Sequence, residues 1–233
     1  MDFNEGVIIP IDKPYRMSSF GALAHIRYVL SRRLGVKRVK MGHAGTLDPL
    51  ATGVLLLCTG KATKQIDNLQ AETKEYVAGL QLGATTASYD REHTVNFTYP
   101  TKQITRHKVE EVLRQFEGDI MQVPPEFSAC KVDGKRAYLL MRKGRDVQLK
   151  AKPLHIDEIE LLDFNPEEMT LSIRVVCGKG TYIRALARDI GQALDSGAFL
   201  TSLRRTRVGK YSVGEAVGFD EFPQWLEQVM NQD

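Results

Sequence analysis

Gly42-His43-Ala44-Gly45-Thr46-Leu47-Asp48-Pro49-Leu50-Ala51-Thr52-Gly53 is a polar, glycine-rich loop that runs directly into the apolar stretch Val54-Leu55-Leu56-Leu57-Cys58. An unbroken apolar run of that length reads as a strand covered on both faces. Asp48, just ahead of it, is held in direction by the strand and left available to solvent or ligand, which suits chemistry better than packing. An Asp-Pro step is also a common turn, so the loop alone leaves both uses open. Gly42, Gly45 and Gly53 allow close backbone approach. His43 could bond a phosphate, stack on a base, or serve the structure only.

Working outward, residues 7–11 read as a short strand broken by Lys13-Pro14. Ser18 or Ser19 can cap a helix with Phe20, Leu23, Ile26, Leu30 and Leu34 along one face. Residues 60–69 read as a short helix, and 74–82 alternate as a strand carrying Tyr76. Residues 106–117 form an amphipathic helix with Val109, Val112, Leu113 and Phe116 inward and Gly118 as its stop. Residues 124–152 are polar, basic and glycine-punctuated, a long excursion of the kind that is usually functional. Strands follow at 155–163 and 170–177. Gly178-Lys179-Gly180 opens a helix containing Ile183, Leu186, Ile190 and Leu194, and a last strand at 206–214 and helix at 220–230 close the chain. Strands and helices mix without strict alternation. This predicts an α+β fold with a mixed, largely antiparallel central sheet flanked by helices.

At 233 residues, with 42% hydrophobic and 26% charged residues, the composition is that of an ordinary globular chain. No apolar run is long enough to cross a bilayer, and Met1-Asp2-Phe3-Asn4-Glu5 lacks the basic and apolar regions of a signal peptide. A cytoplasmic protein without a membrane partner is expected. Cys58, Cys130 and Cys177 lie far apart with no Cys/His cluster, so they read as reduced thiols and no metal site is expected. No Walker pattern, dinucleotide fingerprint or nucleophile elbow is present, so no cofactor is expected.

Net charge is only +3, but its distribution is uneven. Arg32, Arg33, Lys37, Arg38 and Lys40 form one basic block. Lys131, Lys135, Arg136, Arg142, Lys143 and Arg145 form a second, and Arg204, Arg205, Arg207 and Lys210 a third. Such blocks fit a phosphate-backbone footprint. Two further residues stand out. Arg184, at a helix start among apolar neighbours, needs a partner; Asp48, Asp189, Glu75 and solvent are all open to it. Tyr76 shares a strand face with Lys74, Ala78 and Leu80, and serves either as core or as a stacking surface.

Several blocks resemble, in order, the TruB-type tRNA pseudouridine synthases. They are Ile11-Asp12-Lys13-Pro14 with Met17-Ser18-Ser19; the Asp48 stretch; Lys74-Glu75-Tyr76 with Leu82-Gly83; and Lys179-Gly180-Thr181-Tyr182-Ile183-Arg184 with Gly197 to Leu200 and Leu203-Arg204-Arg205. Val123-Pro124-Pro125, Phe127-Ser128-Ala129, Lys131 and Gly134-Lys135 are similar to that family's RNA-gripping insertion. The resemblance spans about residues 7–215. It implies the pseudouridine synthase fold as a single catalytic domain over 1–233, with the insertion at about 124–152. Many members continue into a PUA-type RNA-binding domain, which is not expected here.

The implied reaction converts uridine to pseudouridine at position 55 in the T-loop of tRNA. The resemblance makes Asp48 the catalytic acid, Tyr76 a stacking wall for the uracil, and Arg184 the partner of Asp48. Leu200 lines the site, and His43 fills the gap left by the flipped nucleotide. Lys13, Asp90, Lys131 and Lys135 fall among the substrate-binding residues. Ser88-Tyr89-Asp90-Arg91-Glu92 departs from the family's small acidic segment there, although Asp90 matches. The partner implied is the tRNA T-arm; no protein partner is implied and a monomer is expected. The basic and aromatic features alone would equally suit an RNA-folding chaperone, which has no use for Asp48.

Overall fold

The apolar run after Asp48 becomes β3 (Thr52–Thr59) of the computed structural model, which describes residues 2–128, 130–132, 135–137 and 149–231. The chain divides into two compact units, residues 1–76 with 204–233, and residues 77–203.

In the first unit, β3 is buried on both faces, which is why its sequence shows no alternation. Leu55 and Leu57 pack with Leu23, Ile26 and Leu30 of α1 (Ser19–Arg33) and with Phe222 and Leu226 of α5 (Phe222–Met230). Val54, Leu56 and Cys58 face Ala62, Leu69 and Val208 on the opposite side. The neighbours of β3 are β1 (Ile8–Lys13) and β2 (Met41–Ala44), both antiparallel, and the end of β12 (Ala198–Val208), which runs parallel with Arg205 opposite Gly53. β14 (Val217–Gly218) adds to β1 in parallel, and β13 (Tyr211–Ser212) folds back on β12. A 3-10 turn at Gly60–Gln65 leads into α2 (Ile66–Ala71).

The second unit begins within β4 (Lys74–Leu82), whose burial alternates strictly, and orders its main strands β4, β11 (Thr170–Cys177), β10 (Lys152–Asn165), β7 (Gly118–Gln122). β10 pairs antiparallel with both β11 and β7. α3 (Arg106–Arg114) and α4 (Ile183–Ala193) bury their apolar faces here. Two hairpins complete the unit: β5 (Ala84–Thr86) with β6 (Val95–Thr98), and β8 (Lys131–Val132) with β9 (Lys135–Arg136). Pairing is thus mostly antiparallel with a few parallel pairs, and the mixed fold class stands. Among the described residues no helix is long and apolar enough to cross a membrane.

Several local expectations are corrected. Phe20 is 66% exposed, because Ser19 takes the inward position in the first turn of α1. α3 ends at Arg114, and Gly118, at φ +84°, opens β7 instead of stopping the helix. The last long strand is Ala198–Val208, not 206–214. Its polar segment Thr201-Ser202-Leu203-Arg204-Arg205 hides it, since two of those charges are satisfied by tertiary partners. The short strands β2, β5, β6 and β7 carry too few residues to show a period. Ala129, Gly134, Arg142, Lys143 and Arg145 of the insertion lie outside the described residues.

Candidate active site

The Asp48 loop is fastened from three directions, all within the first unit. Ser18 caps α1, accepting from Gly21 N at 3.0 Å. The next residue, Ser19, is buried and meets Leu47 twice: its hydroxyl donates to Leu47 O at 2.9 Å and accepts from Leu47 N at 2.8 Å. After the acid, Ala51 N donates to Asp48 O at 3.0 Å, closing a tight turn. Half-buried Asp48 therefore projects from a short segment whose backbone is held on both sides.

Lys13 forms the second fastening. It is fully buried, and Nζ donates to Met17 O at 2.6 Å, Pro14 O at 2.9 Å and Pro49 O at 3.5 Å. Burial lowers its pKa to about 8; the negative charge of Asp48 opposes that shift, and the guanidinium of Arg205 adds to it. Lys13 thus ties the turn after β1 to the residue that follows Asp48 and places positive charge beside the acid.

Arg205 is the third. Its side chain is 1% exposed, with Nε donating to Val54 O at 2.8 Å and a terminal nitrogen to Gly45 O at 3.0 Å. It bridges the two ends of the loop, and its own backbone lies against Gly53. There a Cβ would stand 2.1 Å from Arg205 O, at a φ of +101° that side chains rarely adopt, so only glycine fits. The neighbouring Arg204 forms a bidentate pair with Asp12, at 2.7 and 3.1 Å, and donates to the Thr52 hydroxyl at 3.3 Å. His43, on β2, has its pKa lowered by burial and then by Arg205, so the ring is neutral near pH 7. Its Nδ1 is buried and has no hydrogen-bond partner among the described residues. Tyr76 is 8% exposed on the buried face of β4, with Lys74, Ala78 and Leu80.

The second unit holds Arg184, Asp90 and Leu200 close together. Arg184, buried in the first turn of α4, donates to Ser88 O at 3.1 Å and Phe127 O at 3.0 Å, and its Nε lies 3.7 Å from an Asp90 oxygen. Its burial rules out a solvent-facing role. Asp189 is engaged by Arg188 at 2.8 Å, and Glu75 accepts from the Thr206 hydroxyl at 2.8 Å. The Asp90 carboxylate also accepts from the Ser88 hydroxyl and from Glu92 N. Tyr89, between them, has φ +57°, an uncommon conformation for a bulky residue, and its carbonyl accepts from Leu200 N at 3.0 Å. Arg188 lies over the Tyr89 ring at 5.6 Å. At the entry to α4, Tyr182 N donates to the Gln122 side chain at 3.0 Å and Gln122 donates back to Tyr182 O at 3.3 Å. Gln122 so does the work of a helix cap.

Lys131 and Lys135 sit on the β8–β9 hairpin, where Lys131 pairs with Arg136; their side chains lie outside the described residues. Sequence reasoning missed Arg205 and Ser19 as anchors of the Asp48 loop, and Gln122 as the anchor of the α4 start. Arg205 was legible as part of a basic block and of the motif Leu203-Arg204-Arg205, but nothing in its spacing signals that it is buried. Among the described residues no cluster of His, Cys, Asp and Glu is arranged to hold a metal. Cys58 and Cys177 are buried, and burial raises the pKa of Cys58 to about 11.

The chain is similar to known proteins over nearly its whole length. Residues 31–183 match the model of the TruB family pseudouridylate synthase N-terminal domain, and residues 184–232 match that of the tRNA pseudouridylate synthase B C-terminal domain. The chain is 61% identical over 228 residues to a tRNA pseudouridine synthase B of Phocaeicola vulgatus, covering 98% of this chain and 96% of that one. It is 46% identical to the protein of the same name from Flavobacterium johnsoniae, covering 97% and 98%. Among solved structures, a chain of a Cbf5-Nop10-Gar1 complex superposes with a TM-score of 0.71 at 29% identity; the match covers 97% of this chain and 57% of that one. The chain belongs to the TruB family of pseudouridylate synthases.

Proposed function

We propose that this protein isomerises uridine to pseudouridine in tRNA, at position 55 of the T-loop, without a cofactor. Membership of the TruB family and relatives named tRNA pseudouridine synthase B support the reaction and the class of substrate. The observation that carries the assignment to Asp48 is the threefold fastening of its loop by Ser19, Lys13 and Arg205. A turn residue with no further duty does not need three buried polar anchors, each costly to bury.

The reaction moves the glycosidic bond from N1 to C5 of the same base, with no net redox change. One carboxylate suffices to begin it, by attacking the sugar or by taking a proton from it. Tyr76 gives the freed uracil a ring to stack on, so that the base turns over without escaping. Arg184 and Asp90 are proposed as further members of the site, Leu200 as its apolar lining, and neutral His43 as the group that enters the space left by the extruded nucleotide. Flipping the nucleotide costs a few kcal/mol. Contacts to the phosphate backbone, including those from Lys131 and Lys135, offset that cost.

The decisive test is incubation of the purified protein and its Asp48→Asn variant with unmodified tRNA, followed by mapping of pseudouridine. The variant is expected to lose product formation by a factor of about a thousand or more while binding tRNA nearly as well. Conversion at the wild-type rate would overturn the role of Asp48. RNA remodelling without any pseudouridine from the wild type would favour a chaperone instead.

A further inference from the structure

Besides anchoring the Asp48 loop, α1 carries an unusual outer face. Phe20 and Tyr28 are 66% and 63% exposed on it, with Ala24 between them at four-residue spacing. The helix ends in Arg32 and Arg33. The chain then turns back through Gly35, at φ +66°. Ser31 ties this return to the helix: its hydroxyl accepts from Val39 N at 3.0 Å and its carbonyl from Val36 N at 3.1 Å. On the far side the Lys40 carbonyl accepts from Gly60 N at 2.9 Å. Arg38 and Lys40 therefore extend from a segment fastened on both sides.

With Arg27, Val39 and Met41, these two cations line a recess of about 300 Å³. No carboxylate lines it, and among the described residues Arg27, Arg38 and Lys40 have no ion pair or side-chain hydrogen bond. Like charges gathered on a rigid frame repel one another, and an anion relieves that repulsion. Cations interleaved with exposed aromatic rings on one surface are the chemistry of nucleic-acid binding. Arg27 stands two turns, roughly 12 Å, along α1 from Ser19, which grips the catalytic loop. β2 runs from the recess back toward that same loop.

We infer that the recess of Arg27, Arg38 and Lys40, with the Phe20–Tyr28 face beside it, is a docking surface for the tRNA phosphate backbone. This rests on the reading of the chain as a tRNA-modifying enzyme. The three cations take phosphates away from the reacting nucleotide, and the two rings lie against ribose and base, so the surface sets the register in which the RNA reaches Asp48.

The test measures tRNA affinity of the full chain against salt, by fluorescence anisotropy with labelled unmodified tRNA. Replacing Arg27, Arg38 and Lys40 together by Gln is expected to weaken binding tenfold or more at moderate salt. It should also flatten the plot of log affinity against log salt by about two to three units, near one per lost phosphate contact. Lys108→Gln, which removes a charge paired with Asp195 elsewhere, is expected to leave the slope as in the wild type. Replacing Arg27 and Arg38 by Lys, which keeps the charges, should retain most of it. An unchanged slope in the triple Gln variant, with its thermal midpoint intact, would overturn the inference. So would equal flattening by Lys108→Gln. Failure of the wild type to form pseudouridine, with the slope still dependent on these cations, would sink the catalytic reading and leave the surface standing.

Discussion

Lys13 shows how one buried charge organises the Asp48 loop. Its three carbonyl acceptors satisfy the ammonium group, yet burial still lowers its pKa from 10.5 to about 8. The folded protein then binds fewer protons here than the unfolded chain between those values, so this site adds stability as pH rises from about 8 toward 10.5. Denaturant titrations across that window are expected to show the rise in the wild type and its absence in Lys13→Met. Equal slopes would mean that Lys13 is solvated in the native state. The same ammonium group lies close enough for Asp48 to counter its shift, which makes it part of the electrostatic setting of the acid and not only a tether.

At the level of elements, helix starts placed against loops hold residues in both units. The first turn of α1 supplies Ser19, whose hydroxyl is at once donor to and acceptor from Leu47. Ser19→Ala removes both bonds and strands a buried amide and carbonyl. A stability loss of about 1–3 kcal/mol is expected, with a drop in turnover larger than any change in tRNA affinity, read by calorimetry and single-turnover assays. The first turn of α4 supplies Arg184, whose planar fork reaches Ser88 O and Phe127 O while its Nε faces Asp90. Lysine keeps the charge but cannot span these acceptors. Arg184→Lys is expected to lower turnover by roughly ten- to a hundredfold with tRNA binding preserved; unchanged turnover would remove Arg184 from the site.

Across the whole molecule, a modest net charge of +3 conceals separate uses of basic residues. Arg204 and Arg205 are structural, tied to Asp12, Thr52, Val54 and Gly45. Arg27, Arg38 and Lys40 line one recess and, among the described residues, form no ion pair. Lys131, Lys135 and Arg136 belong to the hairpin of the insertion. Replacing these last three by Gln should also flatten the salt dependence of tRNA affinity, by up to about three units. An unaltered slope would place them away from the RNA.

From the sequence alone, β3, α1, α3 and α4 could be read, because each carries either a continuous apolar run or a helical period that burial alone explains. The Asp48 loop by itself left a turn and a catalytic use open, and it was the order of the motifs that carried the family. Apolar neighbours pointed to burial of Arg184, but no spacing could reveal which charge of the Arg204-Arg205 pair goes inside. Arg205 and Arg204 sit one residue apart in a polar stretch, yet one is buried against loop carbonyls and the other pairs with an acid distant in sequence. Phe20, apolar and at helical spacing, was expected inward but lies exposed, while Ser19 takes the interior. Burial of a polar side chain is decided by partners that the chain brings together only on folding, because it is their hydrogen bonds that make the burial affordable; a local pattern reports hydrophobicity and is silent about them.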